Sequence, residues 1–289
     1  MSGLYLGIET GGTKVVAAVG RFEDGRPVLA APEVVIPTGD DPPATWDAVR
    51  AAVAGLADTG DIVATGIASF GPVDLRAGRM LGTPKRGWAG FPLVEEWRRR
   101  LDVPLLIDTD VNAAALAESR WGAATGARVS AYLTIGTGIG GGLVHDGGSV
   151  QGLLHPEIGH LPVPRMPGDG HQGSCGAHVG CWEGMTAGPA LRRRYGVPGQ
   201  DLPDDHEAWD LVAWYVGTGL SLVALAWSPE VIVVGGGVMR PGLHERAAAR
   251  LVEALDGYLP APRVAAPHFG DRAGLYGALA LAGSADPDR

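Results

Sequence analysis

Three kinds of chemistry-bearing residue stand out before any element is assigned. The first is a set of imidazoles and thiols. His155-Pro156-Glu157-Ile158-Gly159-His160 is followed by Cys175-Gly176-Ala177-His178-Val179-Gly180-Cys181-Trp182-Glu183. Cys-x2-His-x2-Cys with a further His upstream supplies four soft or borderline ligands, a set that suits tetrahedral Zn2+. The competing reading is two incidental cysteines among scattered histidines. Residues 166–173 are, Met166 apart, Gly, Pro and polar, the sort of loop a metal would fix. Structural zinc contributes on the order of 10 kcal/mol of apparent folding free energy in small peptides. The second is Asp110, within Asp108-Thr109-Asp110-Val111-Asn112. An acid at a strand end and helix start can take the proton from an attacking hydroxyl, worth about 10²–10⁴-fold in rate. Asp is also a preferred N-cap, so capping competes with that reading. The third is a glycine turn. Gly136, Gly138 and Gly141 have the dinucleotide-binding spacing, but that fingerprint needs a helix after the loop. Strand-like residues and an Asp146-Gly147 hairpin signal follow instead. The loop therefore reads as a β-turn whose backbone N–H groups approach an anion.

That turn has a counterpart. Tyr5-Leu6-Gly7-Ile8-Glu9-Thr10-Gly11-Gly12-Thr13 lies on Tyr132-Leu133-Thr134-Ile135-Gly136-Thr137-Gly138-Ile139-Gly140 at one offset, 132 − 5 = 127. Tyr, Leu, Ile, Thr and Gly coincide, which points to two related halves, each opening on a strand, a phosphate-sized turn and another strand. Two such turns could hold one polyphosphate; two ordinary tight hairpins is the plainer reading.

The elements needed to position these groups are legible in outline. Strands are expected over 4–8, 15–19, 28–36, 62–68, 103–107 and 230–234. Helical spacing covers 43–57, where Trp46, Val49, Val53 and Leu56 recur at three and four. Helices are also expected over 93–100, 113–121, 181–195, 206–227, 244–258 and 274–282, with residues 283–289 frayed. Strands alternating with helices make an α/β chain of two related domains, with a boundary in the small, flexible run 123–128.

Composition narrows the function. Hydrophobic residues are 46% and charged residues 19% of 289, enough for a substantial core. A net charge of −9 argues against a general nucleic-acid or anionic-membrane binder. The apolar run 213–227 reads as too short, and too broken by Gly217, Thr218 and Gly219, for a membrane span. With no leader pattern visible, the cytoplasm is expected. The two cysteines there ask for an explanation other than a disulfide.

Taken together, these motifs make the chain resemble the ROK family of sugar kinases, within the actin/hexokinase-like superfamily, from Leu6 to about Ala280. Gly7-Ile8-Glu9-Thr10-Gly11-Gly12-Thr13-Lys14 is similar to the family's first phosphate loop, with Glu9 where Asp is commoner. Residues 107–118 resemble its catalytic segment, with Thr109 where Asn is commoner, and 133–142 its second phosphate loop. Ser69-Phe70-Gly71-Pro72-Val73-Asp74-Leu75, the Thr83-Pro84-Lys85…Gly87-Trp88…Phe91-Pro92-Leu93 loop, Glu9 and Cys-x2-His-x2-Cys resemble the bacterial fructokinase branch.

The resemblance implies a two-domain actin/hexokinase-like (ribonuclease H-like) α/β fold, internally duplicated, with the active site in the interdomain cleft. A smaller N-terminal domain would span 1–122, with the helix at about 274–289 packing back on it. A larger domain with the zinc-binding loop would span 123–289. The implied activity is ATP-dependent phosphorylation of a hexose, D-fructose to fructose 6-phosphate, or of glucose, mannose or N-acetylmannosamine. Asp110 would be the general base, and Thr109, Glu157, His160 and Glu183 the sugar contacts. Gly11, Gly12, Thr13, Lys14, Thr137 and Gly138 would hold the phosphates of MgATP, and Pro189, Gly235, Gly236 and Gly237 its adenosine. Zinc would be held by His160, Cys175 and Cys181 with His178, or less directly His171, in place of the family's middle cysteine. A homodimer is implied. The family's transcription regulators carry a DNA-binding helix-turn-helix before the kinase-like part, for which no room is expected before Leu4. Trp88 and Phe91 read equally as loop packing or sugar contact.

Overall fold

The fold follows from two strand hairpins, each of which starts a sheet. The computed structural model describes residues 3–58, 61–83 and 85–287. Pro84 of the fructokinase-like loop, Met1, Ser2, Asp288 and Arg289 fall outside the described residues. In chain order the first elements are β1 (Leu4–Thr10), β2 (Lys14–Glu23), β3 (Arg26–Leu29), β4 (Val34–Pro37), α1 (Pro42–Ala54) and β5 (Ile62–Ser69). Next come β6 (Val73–Asp74), β7 (Arg79–Met80), α2 (Leu93–Arg98), β8 (Leu105–Thr109) and α3 (Asp110–Trp121). They are followed by β9 (Val129–Ile135), β10 (Ile139–His145), β11 (Gly148–Ser149), α4 (Trp182–Thr186) and α5 (Gly188–Tyr195). The last are α6 (Ala208–Trp227), β12 (Val231–Gly235), α7 (Leu243–Leu255), β13 (Arg263–Ala265) and α8 (Ala273–Ala285).

The chain divides into two compact units, both discontinuous: 1–117 with 149–155 and 272–289, and 118–148 with 156–271. In the first, strand order is β3-β2-β1-β5-β8, with β4 also on β2. β1 and β2 are antiparallel, and β1, β5 and β8 are parallel. α1 buries Trp46, Val49 and Val53, as their spacing predicts, and its N-terminus is capped by the Asp41 carboxylate on the Ala44 amide. Trp46 meets Trp88 and Trp97 edge-on at 6.1 and 5.4 Å. Such aromatic contacts contribute about 0.5–1.5 kcal/mol each beyond area burial. Trp88 is fully buried and donates its indole N–H to the Gly39 carbonyl at 2.8 Å. Of the two readings of Trp88, the structure gives loop packing. α8 covers the opposite face, burying Leu275 and Leu279 against Val16, Ala18, Tyr5 and Ala64.

The second unit repeats the plan: β11-β10-β9-β12-β13, with β9 and β10 antiparallel and β9, β12 and β13 parallel. The duplication expected from the sequence offset is thus present in topology. The turns are not superposed at that offset, however. β1 and β2 pair out to Thr10↔Val15, whereas β9 and β10 stop at Ile135↔Ile139. Gly11 therefore opens the first turn, and Gly138 closes the second. Asp146 and Gly147 both take positive φ, 49° and 78°, and make the tight β10–β11 turn that Asp-Gly predicts.

Two expected elements are divided. The strand over 28–36 is β3 and β4, which pair with opposite ends of β2. The helix over 181–195 is α4 and α5. Ala187 is extended (ψ 167°) and Pro189 sits in the first turn of α5. Proline lacks the donor an unbroken helix needs and fits a helix start. α8 runs through Gly283 and Ser284, inside the segment expected to fray. α6 also exceeds expectation. Its 20 residues are long and apolar enough to cross a membrane by length and composition. Yet 72% of that window is buried within the protein, as in a core helix packed against α7.

Candidate active site

In the first unit the turn after β1 is closed by the Gly11 N–H on the Lys14 carbonyl at 2.8 Å. Thr38 braces it from behind, its hydroxyl donating to the Gly11 carbonyl and its N–H to the Thr13 carbonyl. Gly12, Thr13 and Lys14 face outward and exposed. A Cβ on Gly12 would meet nothing within 4 Å. This leaves a rigid backbone turn with an ammonium at its edge, an arrangement suited to an anion.

β8 ends in Asp108 and Thr109, and α3 begins at Asp110. The cap is made by Thr109, not Asp110: the Thr109 Oγ1 accepts the Asn112 N–H at 3.1 Å. Asp110 Oδ1 accepts the adjacent Val111 N–H at 2.9 Å, and the residue stays partly exposed. Thr109, expected to touch sugar, is 2% exposed, with its hydroxyl committed to the cap. Asp108 holds the segment from beneath. Its carboxylate accepts from the Thr109 amide, Asn112 Nδ2, Ser149 Oγ and Gln151 Nε2, at 2.6–3.0 Å. Glu9 lies on the same sheet, and its pKa is raised to about 7. Burial is the main cause and the Asp110 charge adds to it, against the Lys14 charge and a hydrogen bond from the Leu275 amide.

In the second unit the β9–β10 turn is closed by the Gly136 N–H on the Gly138 carbonyl at 2.9 Å. Glu183, in the first turn of α4, reaches it: Oε2 accepts the Ile139 N–H at 3.0 Å. A Cβ on Gly138 would lie 2.6 Å from that oxygen, so any side chain there would push the Glu183 carboxylate aside. The Gly188 N–H donates to the Gly136 carbonyl at 2.8 Å, bringing Pro189 to the same turn. Gly235 ends β12 beside Thr134. Gly236, at φ +96°, lies so close to the Ile135 backbone that a Cβ would overlap it. Thr137, Gly138, Glu183, Pro189 and Gly235–Gly237 are therefore brought together around the end of β9.

The thiols and imidazoles also converge. Residues 161–163 run alongside 180–182, with Trp182 N–H donating to the Leu161 carbonyl at 2.9 Å and Val163 N–H to Gly180. This sets His160 beside Cys181. His160 Nδ1 is 3.3 Å from His178 Nδ1 and 3.7 Å from Cys175 Sγ, which is 3.9 Å from His178 Nδ1. With Cys181 Sγ, the four donors lie within 4.8 Å of one another. Zinc bonds of about 2.0–2.3 Å in a tetrahedron put neighbouring donors ~3.3–3.8 Å apart; the three separations of 3.3–3.9 Å are near that spacing, and the full set, within 4.8 Å, is somewhat wider. Burial pushes the Cys181 thiol up to about 11, so a metal entering there must displace its proton. Glu157 is exposed just before the turn that carries His160.

His171, the other candidate ligand, is outside the cluster. Its pKa is lowered, mainly by burial and then by the Arg194 charge. The loop that carries it is pinned by a residue the sequence reading missed. Asp169 accepts from Arg194 Nη1 and Nη2 at 2.5 and 2.8 Å, from the Tyr215 hydroxyl at 2.5 Å and from the His171 amide at 3.0 Å. Its local signal is only Asp-Gly in a loop; its partners are on α5 and α6.

The chain belongs to the ROK family, whose model matches residues 5–285. It is 36% identical to the fructokinase of Pediococcus pentosaceus, over 96% of this chain and 97% of that one. It is also 36% identical to the fructokinase of Zymomonas mobilis, over 98% and 97%. Among solved structures it is similar to the ROK hexokinase of Thermus thermophilus, with a TM-score of 0.84 at 33% identity, covering 99% of this chain and all of that one. The fold is thus the two-domain, internally duplicated α/β fold of the actin/hexokinase-like sugar kinases.

Proposed function

We propose that the protein is an ATP-dependent hexose kinase that acts on D-fructose and makes fructose 6-phosphate, with Asp110 as general base. Near-full-length similarity to two fructokinases supports the reading. The observation that carries the mechanism is the place of Asp110: it stands partly exposed in the first turn of α3, at the end of β8, where Thr109 caps the Asn112 amide. In the reaction the Asp110 carboxylate takes the hydroxyl proton as the sugar oxygen attacks the γ-phosphorus. A new oxygen–phosphorus bond forms, the bond to the β,γ-bridging oxygen breaks, and ADP leaves. Little covalent work falls to the protein, and rate comes from positioning and electrostatics.

Gly11, Gly12, Thr13, Lys14, Thr137 and Gly138 hold the phosphates. Gly235, Gly236, Gly237 and Pro189 hold the adenosine, and Mg2+ accompanies the nucleotide. Glu157, His160 and Glu183 contact the sugar, while Thr109 serves it by fixing the start of α3. His160, Cys175, His178 and Cys181 hold a structural Zn2+. When bound, zinc supplies rigidity rather than redox or acid chemistry. His160, with Nδ1 in that set, keeps Nε2 for the sugar, an orientation of the kind outer-shell partners impose. The protein works in the cytoplasm as a homodimer.

The test is a coupled assay with MgATP across fructose, mannose, glucose and N-acetylmannosamine. Fructose should give the highest kcat/KM. Preference for another of the four would move the assignment to that sugar. Turnover of none would overturn it.

A further inference from the structure

The phosphotransfer scheme leaves Lys85 without a task, although its side chain is largely covered and bonded to the segment behind the first phosphate turn. Residues 85–88 form a tight turn, closed by the Trp88 N–H on the Lys85 carbonyl at 3.3 Å. This turn lies along the chain that leaves β4, Thr38-Gly39-Asp40, and meets three successive carbonyls. Lys85 Nζ donates to the Thr38 carbonyl at 2.8 Å, and the Trp88 indole N–H to the Gly39 carbonyl at 2.8 Å. Gly87, at φ +76°, rests on the third, where a Cβ would lie 2.1 Å from the Asp40 carbonyl oxygen. The Lys85 ammonium also pairs with the Asp40 carboxylate at 3.3 Å, but the Asp40 side chain is 64% exposed and that of Lys85 only 22%. The Thr38 carbonyl is thus the inner partner, and a charged donor makes a bond about twice as strong as a neutral one.

Thr38 in turn holds the Gly11–Lys14 turn. β4 pairs with β2 as far as Pro37 opposite Lys14. Thr38 adds one more bond, its N–H on the Thr13 carbonyl at 3.0 Å, and its hydroxyl donates to the Gly11 carbonyl at 2.7 Å. Thr38 is buried, so water is poorly placed to replace a bond lost from its carbonyl. Every residue in this chain of bonds belongs to the first unit.

We propose that Lys85 is a positioning residue for MgATP: acting through Thr38, its ammonium holds the Gly11–Lys14 turn in the shape that receives phosphate. The proposal rests on that turn being a phosphate site. A turn whose N–H groups are already fixed binds an anion without first being ordered. Without Lys85, the Thr38 segment is held less firmly, and part of the binding free energy goes into ordering the turn. Lys14 is the cation on the turn itself; Lys85 reaches the turn through Thr38. The residues that hold sugar and the base are untouched by the change, so the loss falls on nucleotide affinity.

Two measurements on the full chain test this: calorimetric binding of MgATP without sugar, and steady-state kinetics with fructose. Lys85→Met should weaken MgATP binding severalfold and raise KM for MgATP in step, with kcat at saturation and KM for fructose little changed. Lys85→Arg, which keeps a charged donor, should recover most of the affinity. Thr38→Val should also weaken MgATP, and adding Lys85→Met to it should cost little more, because both act through one residue. Unchanged MgATP affinity in Lys85→Met overturns the proposal, as do independent, multiplying losses in the double variant or a rise in KM for fructose alone. If Thr38→Val does not fold, Lys85→Met and Lys85→Arg decide. An active wild-type kinase whose MgATP affinity ignores Lys85 would sink the proposal and leave the kinase reading standing. A wild-type chain that neither binds MgATP nor phosphorylates a hexose would overturn that reading, and the proposal with it.

Discussion

Asp169→Asn should destabilise the second unit by about 3–5 kcal/mol, the cost typical of removing one partner from a buried ion pair. The structure places this pair in that class. The Asp169 and Arg194 side chains are 6% and 9% exposed, and the contact is bidentate. Four donors converge on one carboxylate: both Arg194 Nη atoms, the Tyr215 hydroxyl and the His171 amide. Asparagine keeps the shape but carries no charge, and it turns an N–H2 group toward donors. Arg194 is then left as a buried cation without its carboxylate partner, with the asparagine Oδ1 and the Met185 carbonyl as acceptors. Surface ion pairs, by contrast, contribute about 0–1 kcal/mol.

Urea denaturation of wild type, Asp169→Asn and Asp169→Asn/Arg194→Met would measure this. The double variant should recover part of the loss, since it leaves no buried cation without its partner. The carboxyl also carries a pH signature. Burial alone would raise its pKa, but Arg194, Tyr215 and the His171 amide hold it well below the usual carboxylate range. A depressed folded-state pKa gives stability that is fully present above the unfolded value of about 3.9 and is lost as pH falls through the folded value. Acid destabilisation below about pH 4 should therefore be weaker in Asp169→Asn. A single-variant loss under about 1 kcal/mol, with unchanged acid sensitivity, would refute the reasoning.

Three further outcomes are expected. Purified protein should hold one zinc per chain by elemental analysis, and His178→Ala should lose it while His171→Ala keeps it; retention by His178→Ala would return the fourth ligand to His171. Thr109→Ala should cost about 1 kcal/mol by loss of the α3 cap, with Thr109→Ser near wild type in thermal melts; an unaffected melting temperature would remove Thr109 from that role. Gly138→Ala should raise KM for MgATP and displace Glu183, because the new methyl would lie 2.6 Å from Glu183 Oε2; steady-state kinetics unchanged in MgATP would separate that turn from the phosphates.

What the sequence made legible was local. The hairpin at Asp146-Gly147, the buried stripe Trp46-Val49-Val53 and the repeated strand plan were legible from sequence, and the structure contains them, although the two turns are not superposed at the offset of 127. The split of 28–36 into β3 and β4 depends on where each half pairs along β2, which residue types do not announce. The division of 181–195 was legible in principle from Pro189, whose missing N–H interrupts a helix. The assignment of the cap to Thr109 rather than Asp110 required coordinates, because both residue types cap helices. Asp169 was out of reach, since its role exists only through Arg194 and Tyr215, 25 and 46 residues away. In sequence His178, inside Cys-x2-His-x2-Cys, was the first candidate for the fourth ligand and His171 the weaker one. The run of 180–182 beside 161–163 brings His178 to His160 and leaves His171 on the Asp169 side of the loop.

The role of Asp110 is tested most directly by one comparison: kcat with fructose and MgATP for Asp110→Asn against wild type, alongside fructose affinity by calorimetry. The expected result is a kcat lower by about 10²-fold or more with fructose binding largely kept. A variant with near-normal kcat would contradict the assignment of Asp110 as the base.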